Sequence, residues 1–553
     1  MKSSKLKKLC AVVLAATVAT SLFIGCGDSS AKGGSSSSNQ QLVFNLGEDP
    51  ETMDPTLNNS SGAGTMILNA FEGLMVLNEN DQPVEGAAES YEVSEDGLVH
   101  TYKLRKDVRW DNGDLVTAHD FVYAWQRIFK KKGSYYYMFA DGIASIQGAQ
   151  ELSDKIDAGE ELTDDDLNSM GVKALDGYTL EVKTTVRVSF LDELLAFPPF
   201  YPINEKFAEK QGSKYGKSAK TILGNGAFKM INLEPGSVAE FKKNENYYDQ
   251  KHVKLQRLVM KLVQEPKVAA QAFEAGETDY APINSDLVGK YKEYDSFKQV
   301  YDGFLFYISI NFKNEDLANL NVRKAISSAI NRKDLCENVL KDGSQVVKGF
   351  IPSGLATSPC GVDFRKDSGD FTSYDKAQAQ DLLDEGLKEL GKSEITLRIT
   401  YGTDESPMDV FSTYLQNALS KLNGIKIEMV ATTKQDRIYN KQKNGDFDLV
   451  VTRWGPDCGD PTTYLTIALS TNSNNYGKWK NSEYDQLVNQ VGVESDVEKR
   501  WQEMKDAEKI LLDDYAYIPV FEKGAATLQN PKVKNLVIKP CRTISFEYVE
   551  KTE

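Results

Sequence analysis

The stretch Phe447-Asp448-Leu449-Val450-Val451-Thr452-Arg453-Trp454-Gly455-Pro456-Asp457-Cys458-Gly459-Asp460-Pro461 decides how this chain is read. Its first five residues are a short apolar run after a glycine-containing turn, as strands buried in a parallel sheet read. The run passes Arg453 and Trp454 and enters a Gly/Pro-rich loop that carries Asp457. In open α/β sheets ligands gather beyond the carboxyl ends of strands, which is where this loop is expected. A carboxylate held there with water excluded suits an ammonium group, whose three donors need an acceptor of opposite charge. Asp460-Pro461 fits a helix cap and first helical position, leading into a helix over Thr462 to Leu469.

Around this segment the chain is long. Its 553 residues exceed the roughly 250 to 300 at which single cores split, so two or more large lobes are expected. A hydrophobic share of 41% against 26% charged is that of a soluble globular protein. Residues 1–25 differ: Lys2, Lys5, Lys7 and Lys8 precede an apolar run from Leu9 to Ile24 ending at Gly25-Cys26, the pattern of a secretory signal. The run falls short of the ~20 residues that span a bilayer comfortably. Its end resembles a bacterial lipobox, with Phe23 where leucine is usual and Leu22 beside it. That resemblance implies cleavage before Cys26, a diacylglyceryl thioether on its sulfur, and a body anchored at the outer face of the cytoplasmic membrane. Residues 26–40, with Gly33-Gly34 before Ser35 to Ser38, read as a flexible tether.

Lysine and arginine total 65 against 81 acidic residues, a net charge of −16; without the four lysines of the signal the balance is 61 against 81, or −20. A body this acidic repels phosphate backbones, and no basic run exceeds short groups such as Lys130 to Lys132, so nucleic acid is not expected as a partner. The acidity weakly favours cationic ligands. Cys10, Cys26, Cys336, Cys360, Cys458 and Cys541 form no C-x-x-C, and His100, His119 and His252 are widely separated, so neither a metal nor a cofactor is expected. Cys360 with Cys458 is one conceivable disulfide; buried free thiols are the simpler reading.

Alternating apolar residues place strands at Leu42-Phe44-Leu46, His100-Tyr102-Leu104 and Tyr178-Leu180-Val182, with His100 a structural residue on its strand face. Helical spacing appears in Val322, Ile326, Ala329 and Ile330, and in Trp501, Met504, Glu508, Leu511 and Tyr515, where one acid interrupts an apolar face. Thr163 followed by Asp164 to Asp166 reads as a helix start. Gly212 to Ser218 lacks one residue of a phosphate loop, and Gly224-Asn225-Gly226 lacks the third glycine of a dinucleotide fingerprint, so both read as turns. Neither G-x-S-x-G nor H-E-x-x-H occurs.

A series of weak marks in fixed order adds a resemblance. They include Asp54-Pro55, Phe71-Glu72-Gly73-Leu74, Ala88-Glu89-Ser90-Tyr91, Trp110-Asp111-Asn112-Gly113-Asp114, Val116 through Trp125, Gly224-Asn225-Gly226-Ala227-Phe228, Asn246-Tyr247-Tyr248-Asp249, and Val322 through Arg332. Over the whole mature body the chain resembles the extracellular solute-binding family of peptide and nickel ABC importers, most of all its oligopeptide-binding lipoproteins.

The resemblance implies an α/β, two-lobed, periplasmic-binding-protein-like fold of the large three-domain type, with a hinge between the lobes. Lobe one would run over residues 41–304 and 521–553 with an inserted domain at about 76–200, and lobe two over 305–520. Function would be capture of extracellular oligopeptides by a monomer and delivery to an ABC permease with its ATPase subunits, without catalysis. Asp457 would receive the peptide amino terminus. Arg453 to Gly455 and the loop Asn58 to Gly62, including Asn59, Ser60 and Ser61, would contact peptide backbone in a strand-like manner. Trp454 and Tyr136 or Tyr137 would wall the cleft, and Arg453 would face either a ligand carboxylate or one of the many acids. A dipeptide, peptide pheromone, nickel chelate or sugar on the same fold stays open as an alternative, with an extracellular hydrolase less favoured.

Overall fold

The two longest strands, Phe297–Ile310 and Tyr517–Gln529, lie antiparallel side by side in the middle of the chain's largest sheet. The computed structural model describes residues 40–58, 60–78, 82–358, 360–456, 459–494, 496–538 and 544–552, all within one compact unit. The signal, Cys26 and the tether as far as Asn39 fall outside them, as do Asn59, Asp457, Cys458 and Cys541.

The large sheet has 11 strands. Along it run Ile425–Thr432, Ile395–Gly402, Leu449–Trp454, Phe297–Ile310, Tyr517–Gln529, Tyr280–Ile283, Gln41–Asn45, Arg257–Lys261, Val238–Lys243 and Phe228–Glu234, with Gln345–Val346 added to the side of Tyr517–Gln529. The ladder between the two long strands breaks between Tyr301 and Leu305, where Gly303 takes a φ of +74°. Only glycine adopts that conformation without a steric penalty, so the break is written into the sequence. Opposite it Gly524 is packed so tightly that a Cβ would stand 1.9 Å from the Gly343 carbonyl oxygen.

On either side of this break the apolar side chains gather into separate cores. One draws on residues between Leu42 and Tyr280 and again on Val533 to Val549. A second forms around Phe306, Leu397 and Phe521, and a third around Leu305, Trp501 and Tyr517. A separate four-stranded antiparallel sheet, Ala88–Val93, Val99–Leu104, Thr179–Lys183 and Val172–Asp176, packs into the first core through Tyr102, Leu104, Leu180 and Val182. Polar sequence signals set several starts: Thr163 and Asp166 close a capping box on the helix Asp164–Asn168, and Thr117 with Asp120 does so on Ala118–Lys130. Asp54 is held by Arg127 in a buried two-point ion pair, 2.7 and 2.8 Å.

Three expectations need correction. The strand Leu449–Trp454 is not in a purely parallel environment: it runs antiparallel to Phe297–Ile310, pairing Trp454 with Leu305, and parallel to Ile395–Gly402 at Leu449 and Val450. The helix after Pro461 is one turn, Thr462–Leu465, continued by a 3-10 turn at Thr466–Ala468; Asp460 starts it by accepting from the Thr462 amide at 2.9 Å. The helices carrying Val322 and Trp501 stop at Ser328 and Asp513, before Ile330 and Tyr515.

Candidate functional site

A cavity of about 700 Å³ opens between the first and third cores, a size ordinary for a ligand site. Leu68, Phe71, Phe197 and Tyr201 line it from one side and Leu355, Trp501 and Met504 from the other. Leu77, Val93 and Val497 edge it while 37%, 44% and 60% exposed, an apolar rim that a soluble surface does not need. Gly459, Asp460 and Pro461 bring the loop beyond strand Leu449–Trp454 into the wall.

Glu72 enters this wall because the backbone around it is clamped. Its amide donates to Asn225 Oδ1 and its carbonyl accepts from Asn225 Nδ2, both at 3.0 Å. The flanking glycines permit the approach: a Cβ on Gly224 would stand 2.0 Å from the Ala70 oxygen, and one on Gly226 would stand 2.7 Å from the Phe71 amide. Gly224-Asn225-Gly226 is therefore a packing device as well as a turn. The Tyr247 hydroxyl lies 2.6 Å from Glu72 Oε2 and 3.0 Å from Glu547 Oε1. One hydroxyl has one proton, so bonding to both acids requires that one of them carry a proton and donate it back. Burial, reinforced by the nearby Glu547 charge, pushes Glu72 up to about 8, and burial lifts Glu547 to about 7.

Farther along the wall Asp192 accepts from the hydroxyls of Tyr91 at 2.7 Å and Tyr102 at 3.4 Å, whose rings stack 5.4 Å apart. His100 lines the cavity too. Burial holds its imidazole below its ordinary value against the pull of Asp192, so it is neutral at pH 7. Asp460 is gripped by Arg500 at 2.7 and 3.0 Å. Burial would raise that carboxyl, but the Arg500 charge and the hydrogen bonds from Arg500 and Thr462 outweigh it and leave it below the usual range. Glu193 is shifted the other way, by burial first and the Asp460 charge second, with Arg500 opposing.

Of the residues expected to contact a ligand, the described ones are not in this cavity's lining. Asp457 and Asn59 lie outside the described residues. Trp454, Arg453, Gly455, Ser60, Ser61 and Tyr137 are not among the described residues lining this cavity. Trp454 donates its indole N–H to the Thr463 carbonyl at 2.9 Å. Arg453 lies 3.8 Å from Glu405 and 4.9 Å above the Phe304 ring; Gly455 packs on that same ring, where a Cβ would stand 2.4 Å away. Ser60 caps the helix Ser61–Ala70, accepting from the Ala63 amide at 3.2 Å. Ser61 Oγ and the Gly62 amide donate to Glu48 Oε2 at 3.3 and 2.8 Å. Tyr137 is 39% exposed in the 3-10 turn Tyr136–Phe139, and Tyr136 donates to Asp157 at 2.6 Å. Cys360 is an exposed free thiol and Cys336 a buried one, so the pairing of Cys360 with Cys458 finds no support.

Sequence reasoning missed Glu72, Asp192, Glu193, Tyr247 and Glu547 as cavity residues. The available signal was acids inside apolar runs, in Phe71-Glu72-Gly73-Leu74 and Leu191-Asp192-Glu193-Leu194, where solvation alone gives no reason for charge. No helix among the described residues is long and apolar enough to cross a membrane, and no group of three or more His, Cys, Asp or Glu among them is placed to hold a metal ion.

A mixed sheet threaded by two long strands, separate cores at its two ends and an acidic cavity between those cores define a two-lobed solute-binding fold. The chain belongs to the bacterial extracellular solute-binding proteins, family 5, which it matches over residues 82–476. It is 29% identical over 512 residues to the dipeptide-binding protein DppE of Bacillus subtilis, covering 92% of each chain. It superposes on the substrate-binding domain of an oligopeptide ABC transporter from Bacillus anthracis with a TM-score of 0.71 and 31% identity, covering 93% of this chain and 99% of that one. The match to Listeria monocytogenes OppA bound to peptide has a TM-score of 0.70 and 31% identity, covering 93% of this chain and 100% of that one.

Proposed function

We propose that this protein captures peptides outside the membrane between its two lobes and hands them to a membrane permease driven by a separate ATPase, with no bond made or broken. The observation that carries this reading is the cavity between two cores, entered by Gly459, two residues past Asp457. Relatives named for dipeptide and oligopeptide binding support the ligand class. Cys26 is the proposed lipid site, with residues 1–25 removed and 26–40 as tether. The lobes divide as residues 41–304 with 521–553 and an insertion at about 76–200, against 305–520; the break between Tyr301 and Leu305 is the proposed hinge, supported by the cores that lie on either side of it.

Asp457 takes the peptide ammonium in this reading. Arg453 to Gly455 and Asn59 offer backbone to an extended peptide, and Trp454 offers an apolar face. Ser60 and Ser61 contribute less, because the Ser60 amide already donates to Asn58, the Ser61 hydroxyl and Gly62 amide to Glu48, and the Ser60 hydroxyl accepts from the Ala63 amide. A micromolar affinity corresponds to about −8.2 kcal/mol, within reach of several backbone hydrogen bonds and one enclosed ion pair. Calorimetry with a mixed peptide pool on Asp457→Ala should show a loss of about 2 to 5 kcal/mol, mostly from a buried ammonium left without its counter-ion. Unchanged affinity, or equal binding of N-acetylated peptides, overturns the assignment.

A further inference from the structure

The carboxylates around the cavity are not equally answered by the fold. Asp460 receives Arg500 and Thr462, and Asp192 receives two tyrosine hydroxyls. Glu193, the next residue along the same short helix, differs: its Oε2 is shut off from solvent and has no hydrogen-bond donor among the described residues. Across the cavity stand Gly459, whose Cβ position lies 3.9 Å from that oxygen, and Asp460, whose negative charge opposes a second one here. Arg500 is near enough to temper this, with its guanidinium 5.8 Å from the Phe190 ring, but it directs three N–H groups at Asp460 and the Val491 carbonyl.

Two further side chains point the same way. His100, 6% exposed, lines the cavity with neither ring nitrogen partnered among the described residues, and Glu72, 4% exposed, lines it with Oε1 unpartnered. A buried acceptor lacking its donor costs about 1 to 3 kcal/mol, and several in one cavity indicate that the donor arrives with the ligand.

We infer that Glu193 is the counter-ion for a cationic side chain of the bound peptide, so that the cavity selects peptides bearing lysine or arginine over neutral peptides of the same shape. This rests on the peptide-binding reading and deepens it. An ammonium or guanidinium supplies the donor that Oε2 lacks and offsets the burial, reinforced by the Asp460 charge, that disfavours an ionised Glu193.

The test is a competition in native mass spectrometry between paired pools of di- to pentapeptides of alanine, one pool carrying a single lysine and the other a single norleucine. The wild type should prefer the lysine pool by about tenfold, and Glu193→Gln should bring the ratio close to one. The readout is the ratio, so a general weakening by the variant does not imitate the effect. Equal binding of the two pools by the wild type, or a lysine preference that survives in Glu193→Gln, overturns the inference while leaving peptide capture intact. If neither pool binds, peptide capture itself fails, and this inference with it.

Discussion

Two buried acids, Glu508 in the third core and Glu72 at the cavity, are treated in opposite ways. Glu508 is fully enclosed and fully bonded: Oε1 accepts from the Phe350 and Ile351 amides at 2.7 and 2.9 Å, and Arg365 and Ser368 complete the set at 2.5 to 2.9 Å. Glu72 is almost as buried, yet it has a second acid and a tyrosine for company instead of a close cation. Where the fold uses a carboxylate to tie loops together, every lone pair is answered. At the cavity Glu72 and Glu193, unlike their neighbours Asp192 and Asp460, are left protonated or short of donors, a state that an incoming cation can change.

The largest expected effect breaks the first half of this contrast. Glu508→Ala leaves Arg365 charged and buried with its carboxylate gone, which costs about 3 to 5 kcal/mol. The urea midpoint should fall accordingly. A midpoint within error of wild type would mean that this network does not bear on stability. Gly349 sharpens the point: a Cβ there would stand 1.7 Å from Arg365 Nη1, so Gly349→Ala should also destabilise, by displacing the guanidinium.

The second half is read out by pH. The Glu72 carboxyl is raised in the fold from 4.5 to about 8, so the native state prefers its protonated form. Its stabilising contribution is fully present below the unfolded value, about 4.5, and is lost as pH rises through about 8. Glu72→Gln imitates the protonated acid. It should flatten the decline in stability over that window and be the more stable protein at pH 8, by on the order of 2 kcal/mol. Identical slopes of unfolding free energy against pH in the two proteins would remove the shared-proton account of Glu72, Tyr247 and Glu547.

What was legible in the sequence follows the same division. The strand before Trp454, the helix through Trp501 and the acidic helix start at Thr163 depend on neighbours within a few residues, and periodicity exposes them. The partners of the two acids are remote: Glu508 meets Arg365 143 residues away, and Glu72 meets Tyr247 175 residues away. From spacing alone Glu508 was an interruption in an apolar face, and Glu72 one letter of a weak motif. The cavity was illegible for the same reason, since Asp192 and Glu193 acquire a role only when Gly459 and Arg500 are brought opposite them. The loop Asn58 to Gly62 carries a second signal beside the ligand-contact reading: polar residues before an apolar helix are an N-cap pattern, and Ser60 caps that helix.

That loop carries the smallest prediction and marks where the contrast between tied and waiting polar groups reaches the surface. Ser60 precedes Ser61–Ala70 with extended backbone, φ −133° and ψ 150°, and its hydroxyl accepts from Ala63. Replacing it with alanine removes one satisfied amide at a helix end, worth about 1 kcal/mol. The loss is modest because Glu48 still holds the Gly62 amide, so two of the first-turn groups do not become orphans together. Ser60→Ala should therefore lower the unfolding free energy by about that amount, whereas Ser60→Asn, which keeps a capping oxygen, should be close to wild type. If alanine and asparagine destabilise equally, the serine is serving something other than its own helix, in line with a ligand-facing role for this loop.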